Sequence, residues 1–268
     1  MWETLGTVSV PRLTDARLQL HWAAQVAAAV GKQLVEHRPD YSEQSFQWHP
    51  AARSLVQGLV HGARPLRSAV RPSPPALLLL DDGAEILREW PLDGRTLDEA
   101  YAWLEVEVPA LTGRPLDHPL ERPGELPEHR FGKGARFSAA DAEAFAELAG
   151  WFAAAHETLS AVVRRNPGAS EVRLWPHHFD IATLISLAGE RSIGIGVVPG
   201  DSWKTEPYVY VTPWPYPEAG GLPPLEGGNW NTEGWTGAYL EASRIRDGEQ
   251  VERFVDSAVA ACRRLLER

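Results

Sequence analysis

The chain has 268 residues, 44% of them hydrophobic and 23% charged, values that suit a globular protein with a sizeable core and exclude a disordered chain. Its formal net charge is −10, from 26 Lys and Arg against 36 Asp and Glu, and no dense basic cluster breaks that balance. A nucleic-acid backbone or an anionic membrane surface would repel such a protein, so neither is expected as a partner.

One cysteine, Cys262, excludes an intrachain disulfide and any Cys-rich zinc module, and reads as a small buried hydrophobe. The opening "MWETLGTVSVPRLTDARL" shows neither a basic n-region nor an apolar h-region, so no signal peptide is read there. The longest apolar run, Ala76 to Leu80, is too short to span a bilayer, and the expected location is cytoplasmic.

In chain order, Leu18 to His37 predicts an amphipathic helix, with Leu18, Trp22, Val26, Val30 and Leu34 recurring every four residues after Asp15 as N-cap. "SFQWHPAARSLVQGLV" predicts one or two strands, and "ALLLLDDGAEILREWPL" a hairpin turning at Asp82-Gly83. Thr96 to Leu111 predicts a second helix. Residues 112–136, rich in Pro and Gly and without period, read as a linker or surface-hugging loop. Ser138 is expected to open a third helix reaching about Arg165, stopped by Asn166-Pro167-Gly168. Strands are expected over Glu171–Leu187, Ser192–Val198, Tyr208–Thr212 and Trp235–Ala242, and a closing helix over Asp247–Leu266.

Each half thus runs helix, strands, helix. "SEQSFQWHPAARSLVQGLV" also lines up with "SEVRLWPHHFDIATLISL", pairing Ser42 with Ser170 and Trp48 with Trp175. The expected fold is α+β: an internal duplication of two similar helix–antiparallel strands–helix halves, 1–111 and 137–268, joined by the linker at 112–136. Helices are expected to pack on the sheets.

The second half carries more chemistry. Where the first copy has His49 alone, the second has His177, His178 and Asp180 in "WPHHFDIATL". In one extended strand His178 and Asp180 would share a face, a His-x-Asp spacing found in strand-borne two-His-one-carboxylate sites. Such a site would hold a divalent metal ion, with His156 or Glu206 as candidates for a third ligand. The other reading of the pair is a fixed hydrogen-bond network.

Gly194 and Gly196 alternate with isoleucines, so one face of that strand has no side chains, either for close packing or for a ligand's approach. "EGGNWNTEGWTGAYL" reads as an aromatic-tipped flap or as a plain connection. No nucleophile elbow, dinucleotide fingerprint or HExxH motif is present. Of the 11 tryptophans, five fall between Trp175 and Trp235, as core residues or as pocket walls.

Together, "WPHHFDIATL", "GIGVVPGD" and "EPYVYVTPWP" resemble a family of bacterial proteins of unknown function marked by Trp-Pro-x-His-Phe-Asp, Pro-Gly-Asp and Glu-Pro-Tyr-x-Tyr-Val-x-Pro-Trp segments. The resemblance covers Trp175 to Trp214, and the N-terminal half only through "LHWAAQVAAAVGK". It implies that Trp175, His178, Phe179, Asp180, Gly200, Asp201, Glu206, Pro207, Tyr208, Tyr210 and Trp214 belong to one shared feature, with His177 at a variable position. It implies no reaction.

The functional expectation is a protein binding or transforming a small polar molecule in the C-terminal half. His178, Asp180 and Glu206 are the candidate acid/base groups, and Trp175, His177, Asp201, Tyr208, Tyr210 and Trp214 the candidate ligand contacts. His178 and Asp180 are the candidate metal ligands. The alternative is a non-catalytic interaction protein in which the His/Asp pair is structural.

Overall fold

A computed structural model describes residues 1–124, 126–218 and 220–267. The class is α+β with two similar halves. The first half runs α1 (Val10–Leu34), β1 (Gln47–His49), β2 (Ser54–Val56), β3 (Arg67–Arg71), β4 (Ala76–Leu80), β5 (Ile86–Pro91) and α2 (Leu97–Thr112). The second runs α3 (Ala142–Arg165), β6 (Arg173–Trp175), β7 (Asp180–Ser186), β8 (Ser192–Val198), β9 (Tyr208–Trp214), β10 (Asn229–Asn231), β11 (Gly237–Glu241) and α4 (Gly248–Leu266). One sheet has the order β1-β2-β3-β4-β5; the other has β10-β11-β9-β8-β7-β6. The first four strands of each follow chain order. The halves differ in β10, which pairs outside β11 at the far edge.

Several boundaries are set by capping chemistry. Thr96 and Glu99 form a reciprocal capping box on α2, and Gly113 in the left-handed region closes its other end. Asp141 accepts from the Ala144 amide at the start of α3, and Asp247 from the Gln250 amide at the start of α4. α1 begins eight residues before the position expected for it. Pro11 fits the first turn of a helix, so Asp15 is not an N-cap; it lies inside α1 and accepts from the Gln19 amide group. The hairpin joining β4 to β5 turns over residues 81–85, with Asp81 Oδ1 taking the Glu85 amide.

Contacts group the chain into two compact units, 11–149 with 174–179, and 1–10 with 150–173 and 180–268. In the first unit, α1 presents a largely alanine face (Ala16, Ala23, Ala24, Ala27, Ala28), which lets backbone approach closely. Ser68 Oγ donates to the Ala27 carbonyl and Gln57 Oε1 accepts from the Gly31 amide. Phe46 and Leu174, which occupy matching places in the two repeats, bridge each other by two backbone hydrogen bonds of 2.9 and 2.8 Å.

In the second unit, α4 packs on β8, β9 and β11. Its buried stripe of Val251, Phe254, Val255, Ala258 and Cys262 covers the sheet face that carries Ile193, Ile195, Val197, Val209, Val211 and Leu240. Alternation sends Asp180, Tyr208, Tyr210, Thr212 and Tyr239 to the opposite face. There the cross-strand register aligns Ala182, Gly196, Tyr210 and Tyr239, with Leu184, Gly194 and Thr212 in the next row. Among the described residues no helix is long and apolar enough to cross a membrane.

Candidate functional site

The segment expected as one strand over 171–187 is two strands joined by a tight turn. Residues 176–179 form that turn, closed by the Phe179 amide donating 2.7 Å to the Trp175 carbonyl. Phe179 takes φ +59°, a left-handed conformation that costs a non-glycine residue about 1 kcal/mol or more. The His-x-Asp geometry expected of a continuous strand is therefore not formed: His178 lies in the turn, and β7 starts at Asp180.

Within the first unit the turn is held from α1. His21 Nε2 donates 2.7 Å to the Pro176 carbonyl, Gln25 Nε2 donates to the same oxygen, and the His21 ring stacks on Phe179 at 4.8 Å and 11°. Stacking on a buried imidazole offsets the strain at Phe179. Burial pulls the His21 pKa down to about 4; the bond to Pro176 opposes the shift, and the nearby charges of Arg17, His177 and His178 add to it. His177 and His178 are exposed, their rings 4.2 Å apart, and half-buried Trp175 meets His177 edge-on.

In the second unit the carboxylates expected to do chemistry have separate, fixed partners. Asp180 is buried, at 7% exposure, and its Oδ2 accepts 2.7 Å from the Tyr210 hydroxyl. Tyr210 reaches it by lying across β8 at Gly196. A Cβ there would fall 2.6 Å from the tyrosine's Cε1 and 2.7 Å from its hydroxyl oxygen. The bare face of β8 is therefore filled by Tyr210 and, beside Gly194, by the Thr212 methyl; it is not the ligand floor that the alternation suggested.

Asp201 closes its own turn. Its Oδ1 takes the amides of Trp203 and Lys204 at 2.8 Å each, and its Oδ2 takes the Tyr208 hydroxyl at 2.7 Å. Gly200, at φ +99°, lets this turn fold back, because a Cβ would sit 2.4 Å from the Thr205 carbonyl. Glu206 is spent elsewhere: its two oxygens take the backbone amide and hydroxyl of Ser243 at 2.9 and 3.2 Å. Burial, then the adjacent carboxylates, push the pKa of both tyrosines far up, so each stays a protonated donor.

Four expected ligand contacts or acid/base groups, Asp180, Asp201, Tyr208 and Tyr210, thus form two neighbouring hydroxyl–carboxylate pairs, their rings 6.5 Å apart. Trp214, the last residue of β9, is 54% exposed and meets Tyr216 edge-on. His156, half-buried on α3, has its pKa lowered by burial, and its Nδ1 has no partner among the described residues. Among those residues no three His, Cys, Asp or Glu gather to hold a metal ion, so the donor set proposed around His178 and Asp180 does not fit one.

Sequence reasoning missed two features. One is His21, whose place on the buried side of α1 was the available signal. The other is an aromatic box in which Trp203 meets Tyr208, Trp235 and Tyr239 at 5.0 to 5.2 Å. It holds the protein's own Lys204 ammonium 4.7 Å from the Trp203 and Tyr239 rings, paired with Glu241 at 2.6 Å. That pair raises the lysine's pKa. The segment read as either a flap or a plain connection is the β10–β11 hairpin, whose turn is tied by Asn231 Nδ2 to the carbonyls of Glu233 and Trp235.

No family model, curated protein or solved structure matches this chain.

Proposed function

We propose that His178, Asp180 and Glu206 form no acid/base set and that the two carboxylates are structural, which favours a non-catalytic interaction protein over an enzyme. One observation carries this reading: the two carboxylates of the set are engaged by different partners, Asp180 by Tyr210 and Glu206 by Ser243. A general acid and its base must reach one reacting atom, each within hydrogen-bond distance of the proton it moves. Here the tyrosine–aspartate pairs instead fix the face of the sheet.

Chemical denaturation of Asp180→Asn, Glu206→Gln and the double variant tests this. Residues without shared partners add to within about 0.5 kcal/mol, and that is the expected outcome. A coupling above about 1 kcal/mol would mean that the two carboxylates share one site, and would overturn the reading.

A further inference from the structure

The walls of the aromatic box in the second unit are set by elements other than the group it holds. Asp201 takes the amides of Trp203 and Lys204 at 2.8 Å each, which fixes the turn that carries them. Trp235 lies against Gly237, where no room is left for a Cβ, and Tyr239 and Glu241 stand on β11. Trp235 and Tyr239 meet the Trp203 ring at 78° and 83°, so neighbouring walls stand nearly at right angles. Arg244 pairs with the second oxygen of Glu241 at 3.4 Å.

Two observations point to the ligand this box suits. The first is that a cation already sits in it. The Lys204 ammonium lies 4.7 Å from both the Trp203 and the Tyr239 rings and 2.6 Å from Glu241. Ring faces and a carboxylate that converge on one point hold an ammonium group by its charge. The second is the charge of the surroundings. Residues 200–244 carry six acidic side chains (Asp201, Glu206, Glu218, Glu226, Glu233, Glu241) against two basic ones (Lys204, Arg244). A cation is drawn to such a segment and an anion is repelled.

The Lys204 side chain is 22% exposed and Trp203 37%, so the box opens to solvent. A partly exposed ion pair and a cation–π contact together favour the docked lysine over the solvated one by only about tenfold. A lysine ammonium is also strongly hydrated, whereas a quaternary ammonium has no N–H to solvate and enters an aromatic cage more readily. We propose that the box is a binding site for a quaternary ammonium group, and that Lys204 closes it from within until such a cation takes its place. The inference rests on the non-catalytic reading above, to which it adds a ligand class. The two fail separately. Coupling between Asp180 and Glu206 would leave the box unchanged, and a box that takes no ammonium would leave both carboxylates with their partners.

Tetramethylammonium chloride is the probe, with sodium chloride as ionic-strength control and tert-butyl alcohol as neutral isostere. In the full-length parent, the ε-methylene proton signals of Lys204, shifted by the two rings, are assigned by their loss in Lys204→Ala. Tetramethylammonium should move them saturably toward the position of a solvated lysine. In ¹⁵N-labelled Lys204→Ala the indole N–H signal of Trp203, assigned by its loss in Trp203→Phe, should report the same cation binding about tenfold more tightly, because the competing ammonium is gone. Choline and a trimethyllysine peptide then separate a free small molecule from a modified protein, the tighter binder naming the source. The proposal is overturned if Lys204 stays in place in the parent at saturating probe, a readout that needs no variant to fold. It is equally overturned if Lys204→Ala binds no more tightly than the parent, or if the alcohol or sodium chloride reproduces the shift.

Discussion

The ring of Tyr210 occupies the space that a side chain at Gly196 would need, and in doing so it carries its hydroxyl across β8 to Asp180 on β7. The glycine, the tyrosine and the aspartate are one device. A polar contact between non-adjacent strands is possible only because the strand between them has no side chain at that point.

Gly196→Ala should therefore destabilise the second unit by about 1–3 kcal/mol, the usual cost of forcing a side chain into a filled space. A fall in the urea midpoint with an unchanged slope is the expected result. A neutral substitution would mean that Tyr210 does not lie there.

His21 sets a pH dependence. Its folded pKa of about 4 lies below the ordinary imidazole value near 6.5, so between those limits the unfolded chain binds more protons than the folded one. Stability contributed by the neutral ring is complete above about pH 6.5 and is lost as pH falls toward 4, by roughly 3 kcal/mol in all. Melting His21→Gln alongside the parent from pH 7 to 4 isolates this contribution. The parent should lose stability more steeply, and parallel curves would contradict the assignment.

His178→Ala should change stability by no more than about 0.5 kcal/mol, because the side chain is exposed on the 176–179 turn. Equilibrium unfolding gives the value directly. A loss of several kcal/mol would place the imidazole in a buried network that this structure does not have.

Much of the architecture was legible because it rests on local chemistry. The helix from Thr96, the closing helix from Asp247 and the four-residue stripe of α1 are read from short-range pattern, and each marks an element that forms. The start of α1 was missed because Pro11, usually a breaker, is harmless in a first turn. The site was misread for a related reason. Alternation across 171–187 assumes a continuous strand, and nothing in "PHHF" announces that Phe179 will take a left-handed conformation stabilised by stacking on His21, 158 residues away in sequence. Asp180, Asp201, Tyr208 and Tyr210 are among the candidate residues, and they form the two hydroxyl–carboxylate pairs. What pattern could not give is which hydroxyl meets which carboxylate, since that depends on strand register.

The tyrosine–aspartate pairs form a fixed hydrogen-bond network, and the double-mutant cycle of Asp180→Asn and Tyr210→Phe tests this most directly. Each single variant leaves a buried polar group without its designed partner and should cost about 1–3 kcal/mol. The pair removed together should cost clearly less than the sum, with a coupling of about 1 kcal/mol or more. Additive costs to within about 0.3 kcal/mol would show that the 2.7 Å contact contributes nothing to the fold, and would contradict the account.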